Sequence, residues 1–201
     1  TYALSSLRDD AQYRIGRTYY DLTVPEYTLA LIELGKVINP VLFPAPSAGD
    51  DAQYYIGRTK HEMALLPVIT PAYTLQNARD EYAILLTLTY ALSTRRDDAQ
   101  YQIGKTYFEA PIPQYVQAIV EFEKVLNPTL HTQPSVGDEA QFYKARSIHE
   151  LALLGLPAPT PYTLTNAIAE YAKITAATYP GSNRIDDAVF YSIHAQFPGL
   201  L

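Results

Sequence analysis

The side chains best suited to chemistry in this chain are four histidines, His61, His131, His149 and His194, and an acidic pair, Asp-Asp or Asp-Glu, that recurs along its length. An imidazole beside a carboxylate can ligate a metal or move a proton, and His61 and His149 are followed directly by Glu62 and Glu150. Such chemistry needs three or four groups converging on one point. The histidines stand singly, with no H-E-x-x-H, glycine-rich phosphate loop or nucleophile elbow around them, which is the pattern of packing or surface residues. The acidic pairs lack the alternating oxygen ligands of a calcium loop and read better as helix starts. The chain has no cysteine, so thiolate nucleophiles, zinc-thiolate sites and disulfides are excluded together. The expectation is a non-catalytic protein with no metal site and no cofactor.

The elements that carry these residues repeat. The block DDAQY stands at 9–13, 50–54 and 97–101, with variants DEAQF at 138–142 and DDAVF at 186–190. Measured at the second acid, the steps are 41, 47, 41 and 48 residues, so two units form a larger one of 88 or 89. TYALS at 1–5 recurs at 89–93 with the same period. Chains built this way stack their units into solenoids. The predicted domain organisation is one solenoid over 1–201, with superrepeats of about 1–88 and 89–177 and a terminal helix at 186–197.

Each block opens a predicted helix A. Ser6, Ser47, Thr94 and Ser135 precede the first aspartate by three residues, a spacing at which a hydroxyl can cap a helix while the acids sit at its positive end. Gly16, Gly57, Gly104 and Ala145 recur at one position and are expected to admit a neighbouring helix closely. A proline-containing turn leads to helix B, where Ala30, Ala78, Ala118 and Ala167 align. Each is followed at three residues by Glu33, Glu81, Glu121 or Glu170. The stripe continues through Leu34, Tyr82, Phe122 and Tyr171 to Val37, Leu85, Val125 and Ile174, at amphipathic helical spacing. Pro40, Pro128 and Pro180 follow three of these helices as stops. The order is A1 B1 A2 B2 A3 B3 A4 B4 A5.

These units resemble the tetratricopeptide repeat (TPR), in the style found in bacterial envelope proteins. Ile15, Gly16 and Tyr19 match its helix A signature, and Ala30, Leu34 and Pro40 its helix B signature. The resemblance covers nearly the whole chain and implies an all-α fold, an α-solenoid of TPR-like helical hairpins. The steps exceed that family's about 34 residues, which long inter-helix loops such as VLFPAPSAG and LHTQPSVG explain. The resemblance also implies a concave groove lined from helix A, here by Tyr13, Arg17, Tyr20, Tyr54, Arg58, His61, Tyr101, Lys105, Phe108, Phe142, Arg146 and His149. Repeated rings and cations in an acidic protein suit an acidic or C-terminal peptide. They are read equally well as helix-surface pairs, since each cation has an acid four residues on: Asp21, Glu62, Glu109 and Glu150.

The last block departs from the rest. From Ala188 onward there is no Asp, Glu, Lys or Arg, whereas a solenoid cap needs a polar outer face. A5 lacks a following B helix, and the chain opens inside a repeat. These features point to a head-to-tail self-assembly interface formed by Tyr2, Leu4, Val189, Phe190, Ile193, Phe197, Leu200 and Leu201, giving an open fibre unless rotation closes it into a ring. The competing reading has A5 folding back to close its own solenoid.

Composition bounds the remaining partners. A net charge of −6 argues against nucleic acid, and no apolar stretch approaches the roughly 20 residues that span a bilayer. The 18 tyrosines and the Thr-Pro loops point to an exported protein, extracellular or periplasmic; the start at Thr1 fits removal of an upstream piece such as a signal peptide, and fits a trimmed chain equally. The threonines of TPAYTLQNA, from Thr70, and TPYTLTNA, from Thr160, could carry O-glycans; Thr74 and Thr163 fit equally well as helix starts. The function predicted is a non-catalytic scaffold for protein–protein interaction that assembles with itself. The alternative is a monomeric envelope adaptor that binds a partner peptide in its groove.

Overall fold

The computed structural model describes residues 6–67, 73–155 and 162–197. Tyr2, Leu4, Leu200, Leu201 and the threonines at 70 and 160 lie outside them. Among the described residues there are nine α-helices and no strand, so the fold is all-α. The chain divides into two compact units, Thr1–Ala99 and Gln100–Leu201. The first holds α1 (Ser6–Asp21), α2 (Tyr27–Val37), α3 (Gly49–Leu65) and α4 (Leu75–Leu85), then a 3₁₀ turn at Leu88–Tyr90. The division falls within α5 (Arg96–Phe108), and the second unit continues with α6 (Tyr115–Val125), α7 (Gly137–Leu153), α8 (Leu164–Tyr171) and α9 (Ile185–Gln196).

In the first unit α1 packs on α2, α2 on α3 and α3 on α4; in the second α6 packs on α7, α7 on α8 and α8 on α9. The centre of each contact is the apolar stripe of the even-numbered helices. Ala30, Leu34 and Val37 are completely buried, as are Ala78, Tyr82 and Leu85, and Ala118, Phe122 and Val125. In the last of these stripes Ala167 and Tyr171 are buried within α8 and Ile174 just beyond it.

Three local devices hold these packings, and each uses a residue that recurs in the sequence. The first is the small residue on the odd-numbered helix. A Cβ placed on Gly16, Gly57 or Gly104 would sit 2.6, 2.6 or 2.5 Å from Leu34, Tyr82 or Phe122, so the partner's large side chain lies directly against bare backbone. The second is a glutamine-to-glutamate bond. Gln12 donates to Glu33 at 2.5 Å, Gln53 to Glu81 at 2.6 Å, Gln141 to Glu170 at 2.8 Å, and Gln100 to Glu121. Lysines complete these sites: Lys36 on Glu33, Lys60 on Glu81, Lys124 on Glu121, and Lys144 and Lys173 on Glu170. Burial alone would raise the Glu170 carboxyl; the bonds from Lys173 and Gln141 and the nearby Lys144 charge outweigh it and hold the group below its usual range.

The third device joins one block to the next turn. Ser47 Oγ donates to Asp9 Oδ2 at 2.8 Å, and the Ala48 N–H donates to the same oxygen at 3.1 Å. Ser93 Oγ donates to Asp50 at 2.7 Å. This corrects the expected capping role. Ala48 and Val136 occupy the N-cap positions of α3 and α7 without a side-chain cap bond, and Ser47 serves the preceding block. True hydroxyl caps occur on α4 and α8, where Thr74 and Thr163 accept from the N–H groups of Asn77 and Asn166.

The 88–89 residue period also has a structural signature. Arg95 bridges Asp51 at 2.6 Å and Asp98 at 3.0 Å, and Arg184 bridges Glu139 and Asp187, each at 2.8 Å. Arg95 lies over the Tyr54 ring and Arg184 over Phe142. No described helix is long and apolar enough to cross a membrane.

Candidate functional site

The odd-numbered helices carry two opposed faces that repeat in register. One, here the front face, holds the glutamine of the block, the aromatic after it, the small residue three further on, and an aromatic or histidine one turn beyond. On α3 these are Gln53, Tyr54, Gly57 and His61, all buried, and they meet α4 through Glu81 and Tyr82. On α7 they are Gln141, Phe142, Ala145 and His149, all buried: Phe142 and Ala145 cluster with Tyr171 of α8, Gln141 bonds Glu170, and His149 lies against the Tyr171 hydroxyl. The back face holds Ala52, Ile56 and Thr59 on α3, and Ala140 and Ser147 on α7, also buried. Ala140 clusters with Ala118, Phe122 and Val125 of the preceding helix α6.

The back-face hydroxyls are satisfied within their own helix. Thr59 donates to the Tyr55 carbonyl and Ser147 to the Tyr143 carbonyl. No hydroxyl is thereby stranded by desolvation, and on α7 the cation between Ala140 and Ser147, Lys144, is paired with Glu123 and Glu170.

Two helices depart from this pattern. On α9 the back face is in place, with Ala188 and Ala195 each 2% exposed, and α8 packs on the helix. The front face is Val189, Phe190, Ile193 and Phe197, and each is 52–54% exposed. On α1 the front face is covered: Tyr13 and Gly16 are buried and Gln12 reaches Glu33. Its back face, Ala11, Ile15 and Thr18, is exposed, with Ile15 at 47% against 5% for its counterpart Ile56. The sequence reading missed the α1 face because Ile15 has the same residue type as buried Ile56. Burial alone separates them.

The twelve aromatic and cationic positions expected to line a groove are placed as follows. Tyr13, Tyr54, His61, Tyr101, Phe142 and His149 are buried, Arg17 is exposed, and Tyr20, Arg58, Lys105, Phe108 and Arg146 are partly buried. The cations lie over rings of neighbouring odd-numbered helices: Arg17 over Tyr55, Arg58 over Tyr20, Lys105 over Tyr143, and Arg146 over Tyr191. They also pair along their own helices, Arg17 with Asp21 at 3.0 Å and Arg146 with Glu150 at 3.0 Å, the arrangement of helix-surface pairs. In the first unit Tyr13, Arg14, Arg17, Thr18, Asp51 and Arg95 line an open depression of about 700 Å³. Burial, with Asp51 nearby, pushes the Tyr13 hydroxyl up to about 12, so it stays protonated and able to donate at neutral pH.

His149 on α7 and His194 on α9 lie against each other. Their ring centroids are 5.5 Å apart, and His149 Nδ1 lies 3.4 Å from the Tyr171 hydroxyl. Burial pulls His149 below its ordinary value; Glu150 opposes this, while His194 and Arg146 add to it. Among the described residues no cluster of three or more His, Asp or Glu is placed to hold a metal ion. Comparison of the chain with models of known protein families finds no match, and a search among curated proteins finds no relative.

Proposed function

We propose that this chain is a non-catalytic helical-repeat scaffold for protein–protein interaction, built as a solenoid of TPR-like hairpins, that assembles head to tail with copies of itself outside the cytoplasm. The observation that carries this reading is the front face of α9. It shares its register with faces that every other described odd-numbered helix covers, its residues from Val189 to Phe197 are apolar apart from Gln196, and each of its four large side chains is about half exposed. Contiguous apolar surface of this kind marks an interaction site. A contact made through one helix face belongs to the small, weak class of interfaces, so assembly is expected to emerge with concentration.

Sedimentation velocity and electron microscopy over a concentration series test the proposal. The wild-type chain is expected to grow beyond dimers, and Phe190→Asp to remain monomeric with an unchanged circular dichroism spectrum. A wild-type chain that stays monomeric at its solubility limit overturns it.

A second reading is favoured by the depression on the first unit, where Arg14, Arg17 and Arg95 stand with Tyr13. It makes the chain an adaptor for an acidic peptide segment. Titration with an aspartate- and glutamate-rich peptide is expected to show binding that weakens with salt and with Arg17→Glu, without altering assembly. Salt-independent binding, or none, removes this reading.

A further inference from the structure

We infer that the occupant of the α9 front face is the back face of α1 in a second copy. This rests on the self-assembly reading above and names both sides of the contact. The residues on α9 argue against an ordinary following helix. Every other odd-numbered helix uses glutamine and a small residue on its front face, a polar anchor and a gap that accept a glutamate-bearing helix at close range. On α9 those positions are Val189 and Ile193. Valine cannot bond the glutamate, and the isoleucine fills the gap into which a partner ring would fit. The α9 face is therefore a protruding apolar ridge, like the stripe that α8 lays against α9, where Tyr171 and Ile174 cluster with Ala188.

In the first unit α2 packs on α3, whose back face is built from alanine, isoleucine and a self-satisfied hydroxyl residue, Ala52, Ile56 and Thr59. The back face of α1 has the same constitution: Ala11, Ile15 and Thr18, with Thr18 Oγ donating to its own helix at the Arg14 carbonyl, 2.8 Å away. It can be desolvated without stranding that hydroxyl, yet it is exposed. Large residues on one side meet small ones on the other, as close packing requires.

The charges agree with this pairing. At helical spacing the exposed acid Asp186 falls at the edge of the α9 ridge, and the exposed base Arg14 falls within the α1 face. Opposed in this way they set register and steer encounter more than they add affinity. The two faces belong to different helices, so the contact is heterologous and propagates, as an open filament or a closed ring.

Three proteins test the assignment by sedimentation velocity: wild type, tail-blocked Phe190→Asp and head-blocked Ile15→Asp. Each blocked chain alone is expected to be monomeric while the wild type grows, and an equimolar mixture of the two is expected to form one heterodimer and stop. Thr18→Arg serves as a second head-blocked chain should Ile15→Asp melt early. Growth of both head-blocked chains like wild type would leave self-assembly standing and overturn α1 as the receiving face. Wild-type assembly that halts at dimers, abolished by Phe190→Asp alone, would instead assign α9 against α9. A monomeric wild type overturns both the assignment and the reading beneath it.

Discussion

Helices α7 and α9 begin with the same kind of acidic block and bury the same back-face positions, Ala140 and Ser147 on one, Ala188 and Ala195 on the other. Their front faces differ in composition and in burial together. On α7 Phe142 is 3% exposed beneath α8, and Gln141 holds Glu170 at 2.8 Å. On α9 the equivalent Phe190 is about half exposed, and valine replaces the glutamine. The difference shows that residue choice on this face follows from what covers it. A helix carrying a glutamate demands a polar donor and a shallow surface; an all-apolar partner demands neither. The proposed self-assembly accounts for the absence of both from α9.

That comparison can be broken most sharply by grafting α9 residues onto an interior helix. In Gly57→Ile the new Cβ would lie 2.6 Å from the fully buried Tyr82 ring, so thermal or urea denaturation should show a loss at the upper end of the roughly 1–3 kcal/mol that overpacking costs. The reverse change, Ile193→Gly, removes an exposed side chain and should cost only the roughly 0.5–1 kcal/mol of glycine in a helix while weakening assembly. Equal losses at the two sites would mean that the front faces are not distinguished by their partners.

A smaller effect is expected from Gln53→Val, which reproduces Val189 on α3. It removes the 2.6 Å bond to Glu81, a hydrogen bond to a charged group, and about 1.5 kcal/mol of stability should go with it, since Glu81 keeps Lys60. A variant as stable as wild type would reduce the glutamine-to-glutamate bonds to ornament.

The smallest effect concerns the α7–α9 contact and is read as a pH dependence. His149 is held below its ordinary value of 6.5 by burial, with Arg146 and Glu150 on α7, Tyr171 on α8 and His194 on α9 facing it. Because the folded chain binds that proton less readily than the unfolded one, stability should fall as pH drops below 6.5 toward the folded value. Carboxylates such as Glu170, held down from 4.5, add their own loss only at lower pH. Melting temperatures between pH 7.5 and 5 should decline, and His149→Gln should flatten the slope. An unchanged slope in that variant would place the proton elsewhere.

Much of this architecture is legible in the chain because the repeat states it five times. The apolar stripes from Ala30 to Val37 and their counterparts announce buried helices, and glycine at 16, 57 and 104 announces close approach. Other features were readable only in part. The serine or threonine three residues before four of the blocks looked like a cap for its own helix, but Ser47 points to Asp9, 38 residues earlier, and one-dimensional spacing cannot show which of two aspartates a hydroxyl will reach. Arg95 and Arg184 stand one superrepeat apart, a signal present in the sequence that gains meaning only when both are seen spanning two blocks.

By itself the sequence determined helical class, repeat register and the apolar anomaly of the last block, because periodicity and composition are local properties of a chain. The tertiary structure decided which face of each helix is covered. Phe142 and Phe190 occupy the same place in the repeat and have the same side chain, and so do Ile56 and Ile15. One member of each pair is buried and the other exposed, because burial depends on a neighbouring helix that no residue carries in its own identity.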